Sequence, residues 1–226
     1  MARLLPLGVL LVLALSGCAG AARSLRPGDE DLLSERLAAR AGTLLGTARP
    51  FVVNGSRFNA DCIGYVEAVY EAEGIPLRTL MQRTSPRETS GVAAAFRAIE
   101  AHGVLFGGGG EWPRPGDLVF FHDTWDRDRN GRADDGLTHV GIVESVERGT
   151  VTFLHLGGRG VARGRLNLDH PDDAHGPDGA ELNTPLRVKT RATRPEIPLL
   201  AAQLFAGYGR IELARLPPEL LRDRGR

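Results

Sequence analysis

The chain has 226 residues, 42% of them hydrophobic, which suits one domain with extensions. Lys plus Arg and Asp plus Glu number 28 each, so the formal charge is zero and no basic field exists to draw in nucleic acid. Only two cysteines occur, Cys18 and Cys62.

Arg3 precedes an apolar run from Leu4 to Leu15, shorter than the roughly 20 residues a spanning helix needs. The small residues Ser16, Gly17, Cys18 and Ala19 follow, and the order predicts a cleavable secretory signal over residues 1–17. Residues 18–28 read as a tether. Asp29 to Leu45 has near-helical apolar spacing with an acidic start. Residues 46–58 read as irregular. A second helix is expected from Asp61 to Glu73, with Ile63, Val66, Val69 and Tyr70 as one stripe. Asn59 or Asp61 can cap it, and Gly74 with Pro76 ends it. A third helix runs from Gly91 to His102. Beyond the glycines 107–110 the pattern becomes β, with strands expected at Asp117–Phe121, Thr138–Val146, Thr150–Leu156 and Val161–Leu168. Helices followed by an antiparallel meander give an α+β class. Residues 169–190 read as loop, Ile197 to Tyr208 as a helix, and the end as a charged tail. The expected division is a domain over 29–190 and a C-terminal helical extension over 191–226.

Leu15-Ser16-Gly17-Cys18 resembles the bacterial lipobox, which implies cleavage before Cys18 and lipidation of its thiol. Ala19 after the cysteine, rather than aspartate, implies an outer-membrane anchor facing the periplasm. Cys62 then has no partner, and an unpaired cysteine in an oxidising compartment is a candidate reactive thiol. It sits at a helix start, where backbone N–H groups and the macrodipole favour thiolate and can hold an oxyanion. A base and an orienting group are needed beside it. His139 and His155 fall on consecutive strands. A two-residue turn at Arg148-Gly149 would pair Glu147 with Thr150 and turn His155 away from His139. A three-residue loop ending at Gly149 would pair Val146 with Thr150 and place His155 opposite Gly141, diagonal to His139. Gly149 at the last position suits the three-residue loop, and with that loop the two histidines share a face.

Asp61-Cys62-Ile63-Gly64-Tyr65-Val66 resembles the nucleophile motif of NlpC-type cell-wall peptidases. Pro115 to Phe121 is similar to their first core strand, His139 to Val143 to the strand of their catalytic histidine, and Phe153-Leu154-His155 to the strand of their third polar residue. Val143 to Val146 is equally similar to the CHAP amidases, which share the papain-like fold. The resemblance spans about residues 46–168. It implies a thiol hydrolase acting on amide bonds of peptidoglycan, with Cys62 as nucleophile, His139 as base then acid, and His155 as orienter. Two positions depart from the pattern. Ile63 stands where the family has serine, and Phe51 where a tyrosine is usual. A non-catalytic wall-binding lipoprotein of the same fold is the main alternative. A zinc site on Cys62, His139 and His155 and an acyltransferase are others.

Asp126, Asp128, Asn130 and Gly131 follow the D-x-D-x-N-G order of a calcium loop, in which oxygens at alternate positions surround the ion. Leu137 occupies the twelfth position, so Asp134 or Asp135 must replace the usual glutamate. Calcium here would stiffen a rim near Trp125 and take no part in the chemistry.

Overall fold

A computed structural model describes residues 28–107, 109–189 and 196–220. The expected signal segment, Cys18 and the tether up to residue 27 lie outside the described residues. Among the described residues no helix is long and apolar enough to cross a membrane.

The first helix, α1 (Asp29–Gly42), starts with three acidic residues and ends near Arg40, in line with its dipole. Leu33, Leu37 and Ala41 repeat at four-residue spacing and are buried, whereas Leu32 lies off that stripe and is exposed. A short hairpin follows, β1 (Phe51–Val53) and β2 (Ser56–Phe58), where the sequence reads as irregular. Asn54-Gly55 turns it, both with positive φ (49° and 77°), the type I′ pairing that suits strand twist.

The central helix α2 (Cys62–Ala72) is buried continuously from Gly64 to Tyr70. The Asp61 carboxylate caps it by accepting the Gly64 N–H at 2.7 Å. Two buried tyrosines fix its position. Tyr65 donates to the Ala41 carbonyl of α1, and Tyr70 to the Gly116 carbonyl at the entry to the sheet. Next come α3 (Leu77–Thr84), which the sequence reading lacks, and α4 (Gly91–His102), which it places correctly.

The main sheet is antiparallel throughout. Its strands are β3 (Gly103–Phe106), β4 (Leu118–His122), β5 (Leu137–Glu147), β6 (Thr150–Gly157), β7 (Gly160–Leu166) and β8 (Phe205–Ile211), in the spatial order β3-β8-β4-β5-β6-β7. Inner strand residues alternate between two cores. Leu118, Phe120, Val140, Ile142 and Leu154 pack with the helices. Val119, Phe121, Val143, Phe153 and Tyr208 pack on the other face with Ala201 and Leu204.

Strand β8 corrects the helix expected over Ile197–Tyr208. The run Leu199-Leu200-Ala201-Ala202 reads as helical, but the chain only turns there. The following residues alternate, with Gly209 passing close to Ile99 and Phe120. The sheet therefore draws an inner strand from beyond residue 190, where only a helical extension and a tail were expected.

Candidate active site

Cys62 is the first residue of α2, His139 lies near the start of β5, and His155 near the end of β6. Cys62 and His139 line one open cleft of about 370 Å³, together with Asp61, Trp125, Thr138 and Leu156. His139 Nε2 lies 2.9 Å from His155 Nδ1. That bond occupies Nε2 and leaves His139 Nδ1 as the nitrogen for a second partner.

The two histidines share a face, but not for the reason expected. The hairpin has two loop residues, Arg148 and Gly149, with φ of 49° and 80°, and Glu147 pairs with Thr150. Such a turn alone would send His155 to the wrong side. A β-bulge between Val143 and Ser145 adds one residue to β5, so Ile142 pairs with Leu154. The bulge moves the register by the one residue that a three-residue loop would have supplied. Gly141 then lies against His155, where an added Cβ would come within 2.9 Å of the Leu154 carbonyl and 3.4 Å of the His155 Cβ.

Behind the histidines stand two phenylalanines. Neighbouring ring centroids are 6.2 Å apart for Phe121–His139, 5.0 Å for His139–His155, 5.3 Å for His155–Phe153 and 5.1 Å for Phe153–Phe121. This aromatic backing explains the titration of the pair. Burial pushes His139 down to about 3, with the neighbouring His155 adding to the effect, and pushes His155 down to about 4. Both imidazoles are neutral near pH 7.

Burial also dominates at Cys62, pushing its thiol up to about 11. The Val140 N–H opposes that shift, the Asp61 carboxylate adds to it, and the N–H groups of Ile63 and Cys62 oppose it. The helix start predicts a thiolate, yet desolvation outweighs the donors and the resting group is a thiol. Partial surface exposure of Cys62 and His139 does not relieve this, because protein surrounds each on nearly every other side. The same N–H groups at the start of α2 are placed to receive an oxyanion once charge develops.

The two departures from the family pattern lie off the cleft. Ile63 packs on the start of α4, where a Cβ on Gly91 would meet its Cγ2 at 3.0 Å. Phe51 is buried and packs its ring 5.8 Å from that of Tyr65. Gly64 explains the spacing after the cysteine, since a Cβ there would fall 2.3 Å from the Asn59 carbonyl oxygen.

In the aspartate-rich loop, Asp126, Asp128 and Asp135 each bring a carboxylate oxygen within 4.8 Å of the others. Asn130 and Asp134 bond to each other at 3.0 Å, and Asn130 also donates to Asp128. Among the described residues the three aspartates are the group whose ligand atoms converge closely enough to share an ion, and Cys62, His139 and His155 do not form one. The zinc reading thus lacks its ligand cluster.

A family model for the CHAP domain matches residues 52–156, from β1 through most of β6, a span that includes Cys62, His139 and His155. This central part of the chain is similar to a CHAP domain. Such domains are typically hydrolases, amidases or peptidases, with a peptidoglycan-related role. Among the described residues, four α-helices and antiparallel sheets make an α+β fold consistent with the papain-like CHAP domain. No curated protein matches the chain.

Proposed function

We propose that the chain is a cell-envelope thiol hydrolase that cleaves amide bonds in peptidoglycan through Cys62, His139 and His155. The observation that carries this reading is the 2.9 Å bond from His139 Nε2 to His155, with His139 and Cys62 lining one cleft inside the CHAP match. Because thiol and imidazole are both neutral at rest, proton transfer from Cys62 to His139 Nδ1 accompanies sulfur attack on the amide carbon. Backbone N–H groups at the start of α2 stabilise the oxyanion. His139 then protonates the leaving amine. Water, deprotonated by the same imidazole, hydrolyses the thioester and restores the thiol. His155 keeps the His139 ring oriented and its tautomer fixed.

The test is to incubate the chain from residue 19 onward with purified peptidoglycan and separate the released fragments. The expected result is new soluble fragments with the native chain and a loss of at least about a thousandfold in a Cys62→Ala variant. Equal release by both would sink the hydrolase reading.

The same reading places a lipid on Cys18 and the protein at the outer membrane, facing the periplasm. Metabolic labelling with a fatty acid should mark the native chain and spare a Cys18→Ala variant. It also assigns a structural calcium ion to Asp126, Asp128 and Asp135, whose hard oxygens suit it. Calcium should raise the unfolding temperature, and an Asp128→Ala variant should not respond.

A further inference from the structure

The cleft beside Cys62 is walled mainly by backbone and small residues, including Ala48, Ala60, Gly157 and Gly158. Trp125 is the large side chain on its rim, and it is 45% exposed. Its neighbours are held firmly. Thr124 is buried, donates its N–H to the Thr138 hydroxyl oxygen at 2.8 Å, and has its own hydroxyl 3.0 Å from the same oxygen. The Val188 N–H donates to the Thr124 carbonyl at 2.8 Å, and the buried Arg187 guanidinium donates to the Asp123 carbonyl. Thr138 directly precedes His139. The indole is thus an exposed apolar face carried on a loop whose preceding residue is tied to the strand of the imidazole.

Among its described lining residues the cleft contains no Lys or Arg, and Asp61 is its only carboxylate. Acidic parts of a stem peptide therefore find no counter-charge on this side. Arg57 and Arg78 line a separate groove of about 600 Å³ that meets α2 at Ile63 and Gly64; Glu67 and Glu88 line it too, and Arg78 is paired to Glu67 at 2.7 Å. A neutral ring with an apolar C–H face is the group that suits Trp125. The geometry points to Trp125 as a specificity residue that stacks on a sugar ring of a peptide-bearing saccharide, so that the amide offered to Cys62 lies next to the sugar. This rests on the peptidoglycan reading and sharpens it to the glycan-proximal amide.

Binding tests it without turnover. Trp112 and Trp125 are the only tryptophans, so in a full chain carrying Trp112→Phe and Cys62→Ala, emission reports Trp125 alone. A soluble disaccharide bearing its stem peptide should quench or shift that emission, and the stem peptide alone should not. By calorimetry, adding Trp125→Ala to the Cys62→Ala chain should weaken the disaccharide-peptide at least about tenfold, with Trp125→Tyr within about threefold of the parent. Affinity for the bare peptide should stay unchanged. Unaltered affinity in Trp125→Ala, equal loss of both ligands, or no binding of the disaccharide-peptide at all would each overturn the assignment. Failure of the hydrolase reading looks different: the saccharide would bind through Trp125, but the chain with Cys62 intact would not cleave it.

Discussion

A neutral thiol beside a neutral imidazole sets the pH behaviour of Cys62. With the thiol pushed up to about 11, iodoacetamide alkylation in the absence of substrate should rise roughly tenfold per pH unit from 7 to 10. A plateau in that rate near neutral pH would instead reveal a preformed thiolate. Because His139 is held down at about 3, kcat/KM should show no acid limb near the ordinary histidine value and stay flat from about pH 5 to 8. Stability has its own sign. Histidines depressed in the native state take up protons more readily when unfolded. Their contribution is therefore whole above about pH 6.5 and drains away as pH falls towards the native values. Thermal unfolding between pH 7 and 4 should show that decline, and a His155→Asn variant should show a shallower one. That Cys62, His139 and His155 would come together was legible in the sequence, because a lone cysteine before a helix and two strand histidines are a sparse pattern. The state of the thiol was not, since it depends on how much protein encloses it.

At the scale of elements, β5 and β6 bring the histidines together only through the bulge between Val143 and Ser145. Bulges leave little trace in a sequence, and Gly149 fits either loop length, so the correct register was reached through the wrong turn. Helix α4 was legible because Ser90 and Gly103 bracket a clear apolar repeat, with Ser90 accepting the Ala93 N–H at 3.3 Å. The hairpin at Asn54-Gly55 carried a strong turn signal, but each strand has only three residues, too few for an alternation to register. The bulge makes Gly141 the point of closest approach. Gly141→Ala should force β6 outward and stretch the bond between His139 and His155. Activity should fall at least about a hundredfold, while the chain keeps a cooperative thermal transition. The Asp61 cap can be tested by two readouts. Removing it in Asp61→Ala should cost about 1 kcal/mol of stability and, by deleting a nearby negative charge, should lower the Cys62 pKa. Calorimetry and the alkylation profile would measure the two effects. A thiol pKa unchanged in that variant would remove Asp61 from the electrostatics of the site.

At the scale of the molecule, the segment after residue 190 decides whether the sheet is complete. Strand β8 sits between β3 and β4, and Tyr208, Ile211, Leu213 and Leu216 are buried with it. It also supplies Arg210, whose Nε and Nη2 donate to the buried Asp117 carboxylate at 3.0 and 2.8 Å. Burial holds Asp117 above the ordinary carboxylate value even with Arg210 bonded to it, so the aspartate depends on this partner. None of this could be read from the sequence, because the contact joins residues 93 positions apart and the apolar run before it mimics a helix. Arg210→Met should leave a buried charge unpaired and cost about 3–5 kcal/mol. The double variant Asp117→Asn with Arg210→Met should recover part of that loss, because the neutral amide no longer needs a cation. Urea unfolding of the four chains would give the coupling. Strict additivity would show that the pair contributes nothing beyond its separate side chains. A chain ending at residue 196 should fail to fold cooperatively, since β4 and β3 would each lose a hydrogen-bonding neighbour and the α4 side of the core would lose its cover. The CHAP match ends at residue 156, so the folding unit extends well past the matched span, and β4, which pairs with the strand of His139, is flanked on its other side by a strand that lies outside the match.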